Sequence, residues 1–192
     1  MEQILEMKSI VKSFSGVTVL DNVDLSLDKA HILGIVGENG AGKSTLMNII
    51  TGVMPCDSGI ITYEGKPYSP VNAQQTGKDG IVIIHQELSL FGNLSVIENM
   101  FIDDLPKKRF SRLVDWKLMS EKALESLRYL QADIPLNTKV GDLEMGKRQQ
   151  VEIAKALVKN ASVLIFDEPT TSLSSSEKEN LFRVIRELRN AN

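Results

Sequence analysis

The sequence predicts an α/β fold with an antiparallel β section at the N-terminus and a helical insert in its second half. Val23–Leu27 alternates apolar and polar residues with a period of two, which indicates a half-buried antiparallel strand. Apolar residues between Trp116 and Leu130 recur every three or four positions, which indicates an amphipathic helix. The continuous apolar runs at 81–84 and 163–166 are typical of strands buried on both faces.

Strands dominate the prediction for the first half of the chain. They are predicted at 4–7, 17–20, 23–27, 32–36 and 81–84, with a helix at 44–50. The run Ile32–Val36 is almost entirely apolar, so we expect this strand to be buried on both faces. Gly52 is expected to end the helix, because glycine readily adopts the left-handed conformation that follows many helices.

Helices dominate the prediction for the second half. Their apolar stripes, which we expect to pack in the core, are Trp116, Met119, Ala123, Leu127 and Leu130, then Val151, Ala154 and Val158, then Leu181, Val184, Ile185 and Leu188. We interpret 1–192 as a single domain. Its predicted parts are the antiparallel section at 1–30, the α/β core at 31–88 and 161–192, and a helical subdomain at 89–160.

Composition excludes several classes of protein. The 22 basic and 25 acidic residues give a net charge of −3, which argues against a general nucleic-acid binder. Cys56 is the single cysteine, so no disulfide can form within the chain. No apolar stretch reaches the roughly 20 residues that span a bilayer, and the acidic N-terminus does not resemble a signal peptide. We therefore expect a cytoplasmic globular protein, with the charge run Lys107–Arg109 in a solvated loop.

A phosphate-binding motif lies between a predicted strand and a predicted helix. Residues 37–45 match G-x-x-x-x-G-K-[ST] in full. Glycines let backbone N–H groups turn toward phosphate oxygens, and the helix N-terminus adds partial positive charge. The predicted nucleotide-binding residues here are Gly37, Asn39, Gly40, Ala41, Gly42, Lys43, Ser44 and Thr45. Lys43 is expected to reach the β- and γ-phosphates and Ser44 to ligate Mg²⁺, so the motif predicts a P-loop NTPase core that binds a nucleotide with Mg²⁺.

Two carboxylates follow the predicted strand at 163–166. Asp167 is a candidate to hold Mg²⁺ through its water shell, in the manner of a Walker-B aspartate. Glu168 is a candidate to orient or deprotonate the attacking water. Pro169 cannot donate to the ladder and is expected to end the strand.

Taken together, these segments resemble the ATP-binding subunits of ABC transporters over the whole chain. GENGAGKSTLMNIITG resembles the family's Walker A region, and LIFDEPTTSL resembles its Walker B and D-loop. IVIIHQELSLFGNLSVIENMFI is similar to the Q-loop segment, and VGDLEMGKRQQVEIAKAL occupies the place of the signature segment. HQELSLF and VEIAKAL are most similar to the sugar-importer ATPases. The resemblance implies an ABC ATPase fold and an enzyme that hydrolyses ATP with Mg²⁺.

The resemblance also implies roles for individual residues. Phe14 would stack on adenine with Val19 beside it. Gln86 would sense Mg²⁺, act with Lys43 and Glu168 in catalysis, and couple the site to a membrane partner. In this family two cassettes close face to face, so the signature residues Glu144, Gly146 and Lys147 would meet the ATP of the partner cassette.

The signature segment departs from the family pattern. It has Glu144 where the family has a serine that donates to the γ-phosphate, and Lys147 where the family has glutamine or another polar residue. A carboxylate facing an anion is repulsive. We therefore expect this signature to serve a degenerate ATP site. Simple tolerance of an acid at a helix N-terminus is the alternative.

The family pattern also includes a switch histidine after the last predicted helix. The histidines of this chain are His31 and His85, and neither lies at that place. The sequence is therefore interpreted as the C-terminally incomplete first cassette of a tandem-cassette protein. The D-loop ends in Leu173–Ser174 rather than in the aspartate of many relatives, which leaves its interface role open.

The leading functional hypothesis is a motor subunit for import of a small solute, with a sugar expected. Its implied partners are membrane permease subunits, a second cassette and, indirectly, a solute-binding protein, at the cytoplasmic face of the membrane and without nucleic acid. An ABC-type factor acting on ribosomes or DNA would need a basic linker or coiled-coil insertion that this sequence lacks. A nucleotide-binding module without hydrolysis is a further alternative.

Overall fold

The computed structural model describes residues 2–85, 88–108, 111–170 and 175–190. The strands are β1 (Gln3–Phe14), β2 (Val17–Asp28), β3 (Ser58–Tyr63), β4 (Lys66–Pro67), β5 (Ile81–Ile84) and β6 (Val163–Phe166). The helices are α1 (Lys43–Ile50), α2 (Ala73–Lys78), α3 (Val96–Phe101), α4 (Trp116–Tyr129), α5 (Met145–Val158) and α6 (Ser175–Asn190), with a 3₁₀ turn at Val140–Asp142. Within these residues, no helix combines the length and the apolarity that a bilayer span requires.

The N-terminal strands form an antiparallel sheet in the order β2-β1-β3-β4. Met7 of β1 lies opposite Leu25 on one side and Ile61 on the other, and Met7 is fully buried. The predicted strands at 4–7 and 23–27 are confirmed, although 17–20 and 23–27 belong to one longer strand, β2. The strands β3 and β4 and the helices α2 and α3 were not predicted as individual elements.

The predicted buried strand at Ile32–Val36 is wrong. Residues 31–38 have no regular secondary structure. Ile32 and Leu33 are about half exposed and Val36 is 96% exposed. A strand requires a ladder partner, and no described strand pairs with this segment. An apolar run favours a strand locally, but it does not determine whether a second strand is present to pair with it.

The helical region is built around α5. Both α3 and α4 pack on α5, and the buried side chains on these helices are Val96, Met100, Met119, Ala123, Leu127, Val151, Ile153 and Ala154. The predicted helices at 116–130, 151–158 and 181–188 are confirmed within α4, α5 and α6. Trp116 is an exception to the predicted core stripe, because it occupies the first turn of α4 and is 52% exposed.

The chain divides into two compact units. The first comprises residues 1–82 and 185–192, and the second comprises residues 83–184. The first contains the antiparallel sheet, α1 and α2, and the second contains α3, α4, α5 and β6. The predicted subdivision at residues 30, 88 and 160 stays a prediction.

Candidate functional site

The phosphate loop is an exposed turn that leads into α1. Gly40 and Gly42 have φ of +84° and +89°, a left-handed conformation that favours glycine. The Ala41 N–H donates to Glu38 O at 3.1 Å and so closes the turn. No side chain caps α1, whose N-cap is Gly42, and its first turn carries no acid. The first N–H groups of a helix lack partners within the helix, so this end suits an anion such as a phosphate group.

Lys43 folds back over the loop that precedes it. Its Nζ donates to Gly37 O at 2.7 Å and to Glu38 O at 2.9 Å. These bonds hold the ammonium against the backbone carbonyls at the start of the loop. Ser44, the next residue, is exposed on the first turn of α1, so its hydroxyl is open to a ligand. Asn39, Ala41 and Thr45 lie on the same loop and helix start.

The strand β2 supports the loop from behind. A Cβ at Gly42 would lie 2.7 Å from Leu20 Cδ2 and 3.1 Å from Val19 O, so only glycine fits there. Val19 is thereby held directly against the phosphate loop. Phe14 ends β1 next to the turn into β2 and is 43% exposed, with Lys12 Nζ at 5.6 Å from its ring centroid. The first unit thus brings Val19 to the loop and leaves part of the Phe14 side chain open to solvent.

The acidic pair follows β6 in the second unit. The Asp167 N–H donates to Ile84 O at 3.0 Å, which carries the pairing of β5 and β6 past the end of β6. Asp167 is therefore held by the sheet and is half-buried, whereas Glu168 is exposed.

The backbone turns sharply at Glu168. This residue has φ of +43°, which costs a non-glycine residue about 1–3 kcal/mol and is often found at functional sites. The buried Gln149 of α5 donates from Nε2 to Pro169 O at 3.2 Å and so ties the turn to the helix. The structure thereby positions the predicted water-activating carboxylate on a constrained turn.

The signature segment forms the N-terminus of α5. Glu144 is its N-cap, with an exposed side chain that makes no capping hydrogen bond. Instead, the Gly146 N–H donates to Glu177 Oε1 of α6 at 3.0 Å. A Cβ at Gly146 would lie 3.2 Å from Glu177 Cγ. Two carboxylates therefore lie at this helix end, and one of them already holds the glycine amide. Lys147 is exposed on the same turn.

Arg148 fixes the backbone that leads into the signature. Its Nε donates to Leu143 O and its Nη2 to Gly141 O, both at 2.8 Å. Gly141 in turn donates to Gly92 O at 2.9 Å, at a spacing that no Cβ would permit. The start of α5 is thus anchored on both sides of Glu144.

Two acidic and two basic side chains interact near the C-terminal half of α5. Asp103 accepts from Lys159 Nζ at 2.7 Å and lies 3.6 Å from Lys155 Nζ. Burial acts to raise the pKa of Asp103, but the hydrogen bond to Lys159 and the two lysine charges outweigh burial and lower it. Burial raises the pKa of Glu152, and the charges of Lys155 and Lys159 only partly oppose this effect.

The predicted site residues fall into two groups. Val19, the phosphate loop and Lys43 meet in the first unit, and Asp167, Glu168 and the signature lie in the second. Gln86 and the D-loop residues Leu173 and Ser174 lie outside the described residues.

The residues present fit Mg–ATP. Among the described residues, no group of three or more His, Cys, Asp or Glu side chains could hold a metal ion by itself. Mg²⁺ in such sites takes one or two protein ligands and completes its shell with phosphate oxygens and water. A hydroxyl at Ser44 and a carboxylate at Asp167 are ligands of the required kind.

Sequence reasoning missed Glu177, Gln149 and Arg148. Glu177 is 31 residues from Gly146 along the chain, and no local pattern pairs them. The S-x-x-E spacing before the last helix is a signal for a local capping box, not for a contact with another helix. Only packing of the folded chain shows this role.

Comparisons with known proteins identify relatives over nearly the whole chain. A family model described as ABC transporter matches residues 20–171. The ribose import ATP-binding protein RbsA of Streptococcus agalactiae serotype Ia is 44% identical over 185 residues, which is 96% of this chain and 37% of that protein. RbsA of Clostridium perfringens strain SM101 is 45% identical over 186 residues, 97% of this chain and 37% of that protein. The chain thus spans little more than a third of the length of these curated relatives.

Solved structures show the same fold. An ATP-binding cassette of an ABC transporter in its ADP conformation has a TM-score of 0.87 at 30% identity, covering 100% of this chain and 78% of that chain. A nucleotide-free ATP-binding cassette has a TM-score of 0.86 at 29% identity, covering 99% and 78%. The predicted fold class, an α/β ATPase core with an N-terminal antiparallel section and a helical region, is confirmed.

Proposed function

Because this chain belongs to the ABC transporter family, we propose that it binds and hydrolyses ATP to power import of a small solute through a membrane permease. The relatives named for ribose import support a sugar as the solute class. The observation that carries the proposal is the phosphate loop. Its left-handed glycines, its folded-back lysine and the uncapped start of α1 form a cradle for phosphate.

Each predicted residue has a part in this function. Lys43 exchanges its bonds to Gly37 and Glu38 for the β- and γ-phosphates, and the α1 N–H groups hold the remaining oxygens. Ser44 and Asp167 hold Mg²⁺, which when bound neutralises charge on the phosphate oxygens. Glu168 orients the attacking water and accepts its proton. Gln86, outside the described residues, senses Mg²⁺ and couples the site to the permease.

The base of ATP lies toward the end of β1 in this proposal. Phe14 offers an exposed ring face on which adenine can stack, and Val19 fixes the neighbouring wall because it lies against Gly42. Lys12 pairs with Asp57 at 2.8 Å and also lies over the Phe14 ring, with Nζ 5.6 Å from the ring centroid, so adenine would stack on the other ring face.

The partners follow from what relatives are named for. The name of the relatives, ribose import ATP-binding protein, supports a role at a membrane, and in this proposal the partners are permease subunits at its cytoplasmic face and, indirectly, a solute-binding protein. A second cassette, in tandem or from another copy, supplies the signature that completes the ATP site. Magnesium and ATP are the cofactors. The match to the Streptococcus agalactiae relative covers 37% of that protein's length, so its activity and partners enter here as proposals.

A second candidate is a nucleotide-binding module that does not hydrolyse ATP at the site its signature serves. Glu144 and Glu177 support it, because both carboxylates lie at the N-terminus of α5, the segment that the family resemblance assigns to the γ-phosphate of a partner cassette. Like charges repel, and the Gly146 N–H is already engaged. In this arrangement the signature completes a degenerate site, while the chain's own phosphate loop still binds ATP.

The test measures ATP binding with a fluorescent analogue and turnover by phosphate release. Lys43→Ala is expected to lose binding, because its ammonium is the cation of the cradle. Glu168→Gln is expected to keep binding and lose about 10²- to 10⁴-fold of turnover, since it removes the general base. Lys66→Ala, at an exposed residue of the short strand β4, is the matched control.

Three outcomes are informative. Turnover that falls with Lys43→Ala and Glu168→Gln, but not with Lys66→Ala, supports the motor. Tight binding without turnover in the wild-type chain supports the second candidate. Absence of ATP binding in the wild-type chain contradicts both.

A further inference from the structure

A basic hairpin leads into α4, includes the first two residues of that helix, and contains none of the predicted nucleotide-site residues. We define it as residues 105–108 and 111–117. The Lys108 N–H donates to Leu113 O at 3.0 Å, and the Asp115 N–H donates to Pro106 O at 2.8 Å. Lys107 and Val114 form an antiparallel bridge between these two bonds. These backbone contacts therefore fix the segment at 105–108 relative to the segment at 111–117. Arg109 and Phe110 lie outside the described residues.

The basic hairpin exposes large apolar side chains. Leu113 is 68% exposed, Trp116 52% and Leu105 44%. Single exposed apolar residues are ordinary on protein surfaces. Three on one short, hydrogen-bonded hairpin are a concentration of the kind that marks an interaction surface. Trp116 is also the only tryptophan of the chain, and tryptophan is enriched at the membrane–water interface.

The same hairpin carries uncompensated positive charge. Its basic side chains are Lys107, Lys108, Arg112 and Lys117, against the carboxylate Asp115. Asp115 is engaged as the N-cap of α4, where it accepts from the Leu118 N–H at 3.1 Å. Among the residues that the structure describes, Lys107, Lys108 and Arg112 form no ion pair, and Lys117 meets Glu121 only at 4.0 Å. A positive surface thus stands out on a chain of net charge −3.

We propose that the basic hairpin binds the anionic headgroup surface of a lipid bilayer. Lysine and arginine are attracted to acidic phospholipids, while tryptophan and leucine enter the boundary between headgroups and acyl chains. The inference rests on the proposed function, which brings this chain to the membrane face. It adds a direct lipid contact to the contact with the permease. A nucleic acid could engage the lysines and stack on Trp116, but it would leave Leu105 and Leu113 without an apolar partner, which a bilayer supplies.

The test is co-sedimentation of the full chain with vesicles. Vesicles of phosphatidylcholine with about 30% phosphatidylglycerol supply the anionic surface, and pure phosphatidylcholine vesicles are the neutral reference. Each basic residue near such a surface contributes about a fivefold factor in partitioning. The double variant Lys107→Gln with Lys108→Gln is therefore expected to bind anionic vesicles about 25-fold more weakly. Added salt is expected to weaken wild-type binding.

Matched variants distinguish the contribution of the basic hairpin from the effect of removing positive charge anywhere on the chain. Lys66→Gln with Lys78→Gln removes the same charge from exposed positions of the first unit and is expected to bind like wild type. Trp116→Ser is expected to weaken binding to anionic vesicles while retaining the salt dependence. Every variant is first checked for ATP binding, so that a folding defect or a failure of the nucleotide site is detected separately.

Opposite results would overturn the inference. No binding of the wild-type chain to anionic vesicles would do so, as would equal losses in the hairpin and control variants. Binding that requires reconstituted permease in neutral lipid would assign the hairpin to a protein partner instead. Absence of ATP binding by the wild-type chain would count against the proposed function. The vesicle measurement would still decide whether the hairpin binds an anionic bilayer.

Discussion

Glu152 shows how one residue links burial to charge. It lies on α5 with 7% of its surface exposed, and its Oε2 accepts no hydrogen bond from any residue that the structure describes. Burial raises its pKa above the ordinary value of 4.5. The folded chain therefore holds the Glu152 proton more tightly than the unfolded chain does. Ionised Glu152 lowers the free energy of unfolding.

We expect Glu152→Gln to change the pH dependence of stability. Below the ordinary glutamate pKa both states are protonated, and the penalty of ionised Glu152 is absent. As pH rises through the window between the ordinary and the raised pKa, wild type loses stability that the glutamine variant keeps. Urea unfolding from about pH 4 to about pH 8 measures the difference.

The exposed Glu125→Gln on α4 is the control for loss of one carboxylate. The expected trend is a wild-type free energy of unfolding that falls relative to Glu152→Gln as pH increases. A difference that stays constant, or that grows in favour of wild type, would contradict the assigned role of burial.

At the scale of elements, the short helix α3 depends on its N-terminus. Ser95 and Glu98 form a capping box, in which Glu98 Oε2 accepts from the Ser95 N–H at 2.8 Å and Ser95 Oγ accepts from the Glu98 N–H at 3.4 Å. Asn99 is fully buried and bonds to the backbone of Phe91, at 2.7 Å to its N–H and 3.0 Å to its carbonyl. Hydrogen bonds thus attach a six-residue helix to the preceding loop.

Ser95→Ala is expected to lower the free energy of unfolding by about 1 kcal/mol, because it removes the side-chain acceptor of the cap. Chemical denaturation measures the change. Ser89→Ala, at an exposed residue of the preceding loop, is the control and should stay within about 0.5 kcal/mol of wild type. A Ser95→Ala variant as stable as Ser89→Ala would show that the packing of α3 on α5 suffices.

For the molecule as a whole, nucleotide binding is linked to folding. The phosphate loop needs left-handed glycines and a lysine folded over the turn, and an unfolded chain offers neither. A ligand that binds only the folded state raises the free energy of unfolding according to its concentration relative to Kd. Mg–ATP should therefore protect the chain against heat.

At about 100 times Kd, Mg–ATP is expected to add about 2.7 kcal/mol to the stability of the wild-type chain. Lys43→Ala is expected to show no such gain, because its phosphate cradle lacks the cation. Thermal unfolding with and without Mg–ATP measures both. An equal rise in melting temperature in the two proteins would mean that ATP binds elsewhere, and Lys66→Ala shows whether any lysine substitution reduces the rise.

The N-terminal sheet and the helices show how far sequence reasoning extends. The alternation in β2 and the helical stripes of α4, α5 and α6 are periodic, so the elements were predicted correctly from local pattern. The ends of these elements were less well predicted, since β2 includes two predicted strands. The elements β3, β4 and α2 were missed because they are too short to show a periodic pattern.

The candidate site divides in the same way. The phosphate loop was predicted residue by residue, because its chemistry depends on a contiguous motif whose glycines and lysine act where they stand in the chain. The positions of Asp167 and Glu168 at the end of β6 also followed from order along the chain. The roles of these residues in catalysis stay predictions until the variants are measured.

The sequence by itself determined the family motifs, the helix α1, the long helices α4, α5 and α6, and the supply of buried side chains, since these depend on neighbours within a few residues. Only the tertiary structure decided that Ile32–Val36 lacks a ladder partner, that Trp116 is exposed, and that Glu177 binds the Gly146 amide. Each of these depends on segments far apart in the chain. A strand exists only with its neighbour, and the packing of one helix against another selects which side chains are buried and which hydrogen bonds form.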